Sequence, residues 1–297
     1  MARRRTGTFS SREEKMKIGF NMLLWTPFVT DDHFHLFDKL KLTGYDGVEL
    51  EIIEGTPDHY RRISAELEKR GLESTAVTII PDEEHNPISD NPAHRLAAFD
   101  HLKWAIDCAE ALGAELLCGP FYQPLGSFSG TGPTADEKSR AAEVLHKAAE
   151  YGAERRVLLA VEPLNRFECY FLNTVAAGAE HVAAVDHPNF GLQYDTFHAN
   201  IEEKDPVGCL KAHLSVIRHV HISENDRGTP GRGHVRWPEV FSVLKSGGYD
   251  AWLTIEAFGR TLPDLAATTC VWRELSGSNE EVYLEGYKLI RDGWDQS

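Results

Sequence analysis

Four residues in the second half of the chain have the types and spacing to hold a cation and move protons: Glu162, Asp195, His221 and Glu256. Each closes a short apolar run, RVLLAVEPL (156–164), FGLQYDTF (190–197), IRHVHIS (217–223) and AWLTIEAF (251–258). A charge in such a place is costly unless it is paired or metal-bound. Taken alone, a Glu there is most often a salt-bridge partner, and a buried His a hydrogen-bonded core residue. Their recurrence at separations of 33, 26 and 35 residues is what favours a shared site. Three carboxylates gathered at one point repel, and a divalent cation is the simplest way to hold them. Carboxylates with one imidazole suit Mn²⁺, Mg²⁺ or Co²⁺ better than a structural zinc site. A second set lies just beyond: Glu168 in VEPLNRFE, His198 in DTFHAN and Arg227 in HISENDR, placed to face a ligand above the cation. His219 alternates with His221 and is expected to point to the other side of its strand as a structural residue.

The elements that must position these residues follow a rhythm. Four further apolar runs, KIGFNMLLW (17–25), GVELEI (47–52), STAVTII (74–80) and AELLCGPF (114–121), precede those above and make eight in all. Their near-continuous hydrophobicity is that of parallel strands buried on both faces. Between them, amphipathic segments predict helices over 31–43, 58–70, 92–112, 135–151, 173–185 and 237–246, with a last one near 279–292. Gly71, Gly113 and Gly152 are placed to cap three of them in the left-handed conformation. Eight β-loop-α units without a composition break predict a closed (β/α)₈ barrel in one domain, of the α/β class. An open doubly wound sheet fits less well, because no Gly-x-Gly-x-x-Gly turn follows the first strand. The Pro/Gly-rich loops 81–91 and 122–134 are expected to cover one barrel face. In such a barrel the functional face is at the C-terminal strand ends, where the four residues above fall.

A net charge of −15 argues against a broad nucleic-acid or anionic-membrane surface. Apolar stretches such as 157–161 fall far short of the roughly 20 residues of a membrane span. The five cysteines include no Cys-x-x-Cys pair, so a reduced, cytoplasmic protein is expected rather than a disulfide framework. Residues 1–15, MARRRTGTFSSREEK, are basic with no apolar core, and read as a disordered tail or a mis-assigned start before a folded part at 16–297.

The motifs VEPLNRFE, QYDTFHANIEE, HVHISENDRGTPGRGHVRW and TIEAF resemble those of the ketose 3-epimerases, which act on D-tagatose, D-allulose (psicose) and L-ribulose. That family lies among the xylose isomerase-like TIM barrels. The likeness is strongest over 156–260. It implies that Glu162, Asp195, His221 and Glu256 bind one divalent metal, usually Mn²⁺ with Co²⁺ or Mg²⁺ as alternatives. It further implies that Glu162 and Glu256 are the catalytic acid/base pair, and that Glu168, His198 and Arg227 hold the C1–C2 end of a ketose. Inversion at C3 then passes through a cis-enediolate, with one Glu on each face. Homodimers or homotetramers are common among such enzymes, and Leu262, Leu265, Val271 and Trp272 could form an interface or pack on the last helix.

Two features depart from the family. The loop after strand 4 reads GPFYQPLGSF, offering Phe121 and Tyr122 where an aromatic, commonly Trp, covers the sugar. Arg232 stands where relatives tend to have an acid, which leaves a phosphorylated or acidic sugar open. Trp25 and either Glu49 or Glu51 could line the far end of the pocket. Rival readings on the same barrel are a hydroxypyruvate-type isomerase, an inosose dehydratase and a non-catalytic sugar-binding protein. An apurinic endonuclease would need further His residues after strands 2 to 4, which EIIEG, TIIPD and GPFYQ lack.

Overall fold

The structure, a computed structural model, describes residues 16–297; the tail expected over 1–15 lies outside the described residues. Eight strands form a closed parallel barrel in sequence order, β1 (Lys17–Asn21), β2 (Gly47–Glu51), β3 (Glu73–Val77), β4 (Leu116–Gly119), β5 (Leu158–Val161), β6 (Phe190–Asp195), β7 (Ile217–Ile222) and β8 (Trp252–Ile255). The barrel closes where Ile18 pairs with Leu253. This is the α/β barrel that the eight apolar runs predict.

Ten α-helices among the described residues complete the layer outside it. They are α1 (Phe34–Thr43), α2 (Pro57–Arg70), α3 (Pro92–Leu112), α4 (Ala135–Arg155), α5 (Val175–Val185), α6 (Thr196–Glu202), α7 (Pro206–His213), α8 (Trp237–Ser246), α9 (Pro263–Thr268) and α10 (Asn279–Gln296). Local chemistry sets several ends. Asn91 accepts from the Ala93 amide ahead of Pro92, and Thr134 and Glu137 form a reciprocal capping box at the start of α4. Gly71 and Gly113 cap α2 and α3 with positive φ as expected, but Gly152 does not end α4. The helix runs one turn further, and Arg156 takes the left-handed position (φ 59°). Gly152 is instead where the helix meets the barrel: a Cβ there would lie 2.7 Å from the Val157 carbonyl.

The core sits between strands and helices, where Phe37, Leu40, Leu102, Leu145, Leu192 and Phe241 are fully buried. Each such side chain contributes about 1.5–3 kcal/mol relative to exposure. At the C-terminal mouth, the loops after β3 and β4 are pinned rather than loose. Ile80 bridges Pro124, and Gln123 Oε1 accepts from the amides of Tyr170 (3.3 Å) and Phe171 (2.9 Å). Those bonds tie the loop after β4 to the loop after β5. No helix among the described residues is long and apolar enough to cross a membrane, and all five cysteines are free thiols.

Candidate active site

The barrel geometry carries the four strand-end residues to one point. Asp195 is the last residue of β6 and His221 lies in β7, while Glu162 and Glu256 directly follow β5 and β8. The last two are held in the ladder, Glu162 N–H donating to the Gly119 carbonyl (3.1 Å) and Glu256 N–H to that of Ile222 (3.3 Å). Around His221 Nδ1 stand Glu256 Oε1 at 3.4 Å, Asp195 Oδ2 at 3.6 Å and Glu162 Oε1 at 4.0 Å. Donor atoms of Asp195, His221 and Glu256 lie within 4.8 Å of one another, as do those of Glu162, Asp195 and His198.

This donor set fits a hard divalent cation. Asp195 Oδ2 and Glu162 Oε1 are buried with no hydrogen-bond partner, an arrangement whose cost a cation would relieve. The other oxygen of Asp195 is already engaged, accepting from the amides of Phe197 (2.6 Å) and His198 (3.4 Å) at the start of α6. One carboxylate therefore starts the helix that carries His198 and offers its free oxygen to the cluster. Burial, reinforced by Asp195 and Glu256 against the opposing pull of His221, holds the Glu162 pKa well above the usual carboxylate range.

Beneath this cluster lies a second layer. His221 Nε2 is 2.7 Å from Glu49 Oε1, so the ring donates downward and turns Nδ1 toward the carboxylates. Gln193 Nε2 lies 2.9 Å from that Nδ1, a contact that a cation on the same lone pair would replace, and Gln193 Oε1 is unpartnered. His219 does not face away. Its Nε2 lies 2.7 Å from Glu49 Oε2, because residues two apart in a strand share a face; it sits inside the barrel, one layer below His221. Glu49 also accepts from Asn21 Nδ2 (3.1 Å) and Thr75 Oγ1 (2.8 Å). Burial pushes its pKa up, but His221 and His219 outweigh that and hold it well below the ordinary value.

Glu168, His198 and Arg227 are also brought together. Arg227 Nη1 is 3.1 Å from Glu168 Oε1, and its Nη2 is 3.2 Å from His198 Nε2. The Asn165 amide donates to His198 Nδ1 (3.0 Å), and His198 Nε2 lies 3.9 Å from Glu162 Oε1. Burial, despite Asp195, takes the His198 pKa down to about 3, so the ring is neutral. The Arg227 guanidinium packs between Phe197 (4.1 Å) and Phe258 (4.7 Å), and its backbone adopts a left-handed φ of 64°. That conformation costs a side-chain-bearing residue about 1 kcal/mol or more. It is anchored by Arg227 N–H to the Glu224 carbonyl and Phe258 N–H to the Arg227 carbonyl, both 2.9 Å. Beside them opens a cavity of about 540 Å³, lined by Leu125, Asn165, Glu168, Phe197, Arg227 and Trp272 among others.

Three further expectations need correction. Phe121 and Tyr122 are completely buried, Phe121 against Phe190 and Tyr122 bonded to the Leu172 carbonyl, so neither covers a ligand. Arg232 points away from the cluster to Glu285 of α10 (2.6 Å) on the surface, beside a separate 840 Å³ groove. Val271 packs with Phe258 and Ala266 in its own small cluster, leaving Trp272 exposed. The residues that pattern reading passed over are Gln193 and Asn165, which orient His221 and His198. Their signal was present, since each stands two or three residues from a predicted site residue.

The comparisons agree with this geometry. The family model for the xylose isomerase-like TIM barrel matches residues 37–292. A probable ketose 3-epimerase of Synechocystis sp. is 34% identical over 93% of this chain and 96% of its own. The ketose 3-epimerase of Arthrobacter globiformis is 29% identical over 93% and 96%. The crystal structure of D-allulose 3-epimerase from Methylomonas sp. in complex with D-allulose superposes with a TM-score of 0.87 at 26% identity, covering 94% of this chain and 97% of that one. The chain thus belongs to the xylose isomerase-like TIM barrel family and, within it, to the ketose 3-epimerases, carbohydrate epimerases of the isomerase class.

Proposed function

We propose that this protein inverts C3 of free ketohexoses and ketopentoses, with Glu162 and Glu256 as the acid/base pair and Glu162, Asp195, His221 and Glu256 holding a divalent metal. The observation that carries this reading is the pair of carboxyl groups at the two ends of the β5–β8 arc, both facing His221 Nδ1, with unpartnered oxygens on Glu162 and Asp195. Mn²⁺ is the ion expected, with Co²⁺ or Mg²⁺ as substitutes; bound there, it would polarise the C2 carbonyl and acidify the C3 proton. Glu168, His198 and Arg227 would grip the carbonyl end of the sugar. One glutamate removes the C3 proton from its face, and the other returns a proton to the opposite face. The burial that keeps Glu162 readily protonated suits a residue that must act as acid in one direction and base in the other.

The substrate is read as unphosphorylated. Arg232 is paired with Glu285 away from the cluster, and Arg227 is paired with Glu168 between two aromatic rings. D-Allulose/D-fructose, D-tagatose/D-sorbose and L-ribulose/L-xylulose are the pairs to assay. We further read the free thiols as fitting a cytoplasmic protein, and exposed Trp272 and Phe167 beside the cavity as part of a homodimer or homotetramer contact. The decisive experiment is incubation with these ketoses in D₂O with Mn²⁺. Deuterium is expected at C3 alone, and incorporation at C1 instead would replace this reading with an aldose–ketose isomerase.

A further inference from the structure

Glu51, the last residue of β2, is buried to 5% exposure, and neither carboxyl oxygen has a hydrogen-bond partner. It shares the barrel-interior face with Glu49 two residues earlier but stands one layer nearer the mouth. The two residues are treated very differently. Asn21, near enough to Glu51 to pull weakly on its carboxyl, donates to Glu49 Oε1 at 3.1 Å, and Thr75 to Glu49 Oε2 at 2.8 Å, so that no hydrogen bond closes on Glu51. A native barrel seldom leaves a carboxyl group without partners in its interior unless a ligand supplies them.

Strand order says which part of a ligand that is. Glu162 and Glu256 stand at the ends of β5 and β8, Glu168 and Arg227 on the loops after β5 and β7, and His198 in α6 after β6. β2 lies across the closed barrel from β6. A ketose held by C1 and C2 at the β5–β7 side, with C3 between the two glutamates, extends its remaining carbons toward β1 and β2. Resting on the epimerase reading above, we propose that Glu51 is a specificity-determining residue that hydrogen-bonds the hydroxyls beyond C4, so that the site selects ketoses with a hydroxylated distal chain. Burial, with Glu49 and Glu256 adding to it, keeps the Glu51 carboxyl well above the usual pKa range. A neutral acid offers one donor and one acceptor, the repertoire of a sugar hydroxyl.

The test compares D-allulose with D-erythrulose, a ketotetrose with no carbon beyond C4, in wild type, Glu51→Leu and Glu51→Gln. Glu51→Leu is expected to lower kcat/KM for D-allulose about 10- to 30-fold, mainly through KM, and to leave D-erythrulose within about threefold. Glu51→Gln keeps a donor and an acceptor and recovers most of the loss. Bound Mn²⁺ is counted in each variant and should not change. Equal losses for both sugars, or no loss for either, overturn the assignment. If the wild type exchanges C3 of no ketose, the epimerase reading falls, and calorimetric binding of D-allulose then decides on Glu51 alone. Equal affinity for wild type and Glu51→Leu overturns it.

Discussion

Two layers of buried carboxyl groups are stacked in the same barrel, and they differ in whether their oxygens are filled. In the lower layer Glu49 is met by His219, His221, Asn21 and Thr75. In the upper layer Glu162 and Asp195 each leave an oxygen empty, and Glu51 leaves two. Both layers are buried, so burial alone does not distinguish structure from function here. Satisfaction does. The filled carboxylate fixes the orientation of His221, and the empty ones wait for something that the folded chain does not supply.

The largest effect should come from the upper layer and should appear in activity. Glu162→Gln and Glu256→Gln keep the shape of the side chain but remove the proton-transfer group, and each is expected to lose about 10²–10⁴ in kcat. Neither should destabilise the metal-free fold, because Gln relieves the repulsion among the carboxylates. Near wild-type turnover in either variant would end the two-carboxylate mechanism. Glu49→Ala should behave in the opposite sense. It strips partners from two buried histidines, and about 3–5 kcal/mol of stability is expected to go with it. Denaturant melts of the metal-free variants separate the two layers: only Glu49→Ala should shift the midpoint strongly downward.

Metal and pH sharpen the same contrast. Saturating Mn²⁺ at about 100 times its Kd should stabilise the protein by about 2.7 kcal/mol, and a chelator should remove that gain. The titration signs of the two layers are opposite. The folded pKa values of Glu162 and Glu51 are raised, so their contribution to the metal-free protein is fullest below the ordinary carboxylate pKa and is lost as pH rises through the folded values. Glu49 is lowered, so its contribution is present above the ordinary pKa and is lost only as pH falls through a more acidic value. Melting curves of the chelated protein from about pH 4.5 upward should therefore fall with pH through the upper layer, and Glu162→Gln should flatten that fall. An unchanged slope in Glu162→Gln would place the ionisation elsewhere.

Glu162, Asp195 and Glu256 of the upper layer were legible in the sequence because each ends an apolar run at one β/α spacing, and a charge there needs a reason. The two glutamates of β2, one in each layer, were harder to read. GVELEI looks like one more buried strand, and its two glutamates are separable only by what faces them: Glu49 meets two histidines from the other side of the barrel, 170 and 172 residues away in sequence, and Glu51 meets none. His219 could have been placed from the strand period alone, since it lies two residues from His221. The helices α6 and α7 escaped because each is short and begins at an Asp whose side chain accepts from the first-turn amides. DTFHAN packs the Asp195 cap of α6 and the His198 that meets Arg227 into six letters, and periodicity has no room to appear in so few. The side chains of Phe121, Tyr122 and Arg232 depended on loop paths that local sequence does not encode.

The smallest expected effects come from comparing two arginines on the β7 loop. Arg227 and Arg232 each pair with a glutamate, at 3.1 and 2.6 Å, so bond length gives no reason to rank Arg227 first. Their surroundings do: the Arg227 side chain is 6% exposed between two aromatic rings, whereas that of Arg232 is 64% exposed. Solvent screens the outer pair and its side chains retain their freedom, so such contacts contribute little. Arg227→Ala leaves Glu168 half paired in the cavity wall and should raise KM for a free ketose about tenfold without changing Mn²⁺ content. Arg232→Ala should leave KM, kcat and the melting temperature unchanged. The informative substrate is a ketohexose 6-phosphate. If Arg232 served a phosphate after all, its loss would selectively abolish turnover of that ester, and the unphosphorylated substrate class proposed above would have to be given up while the upper-layer chemistry stood.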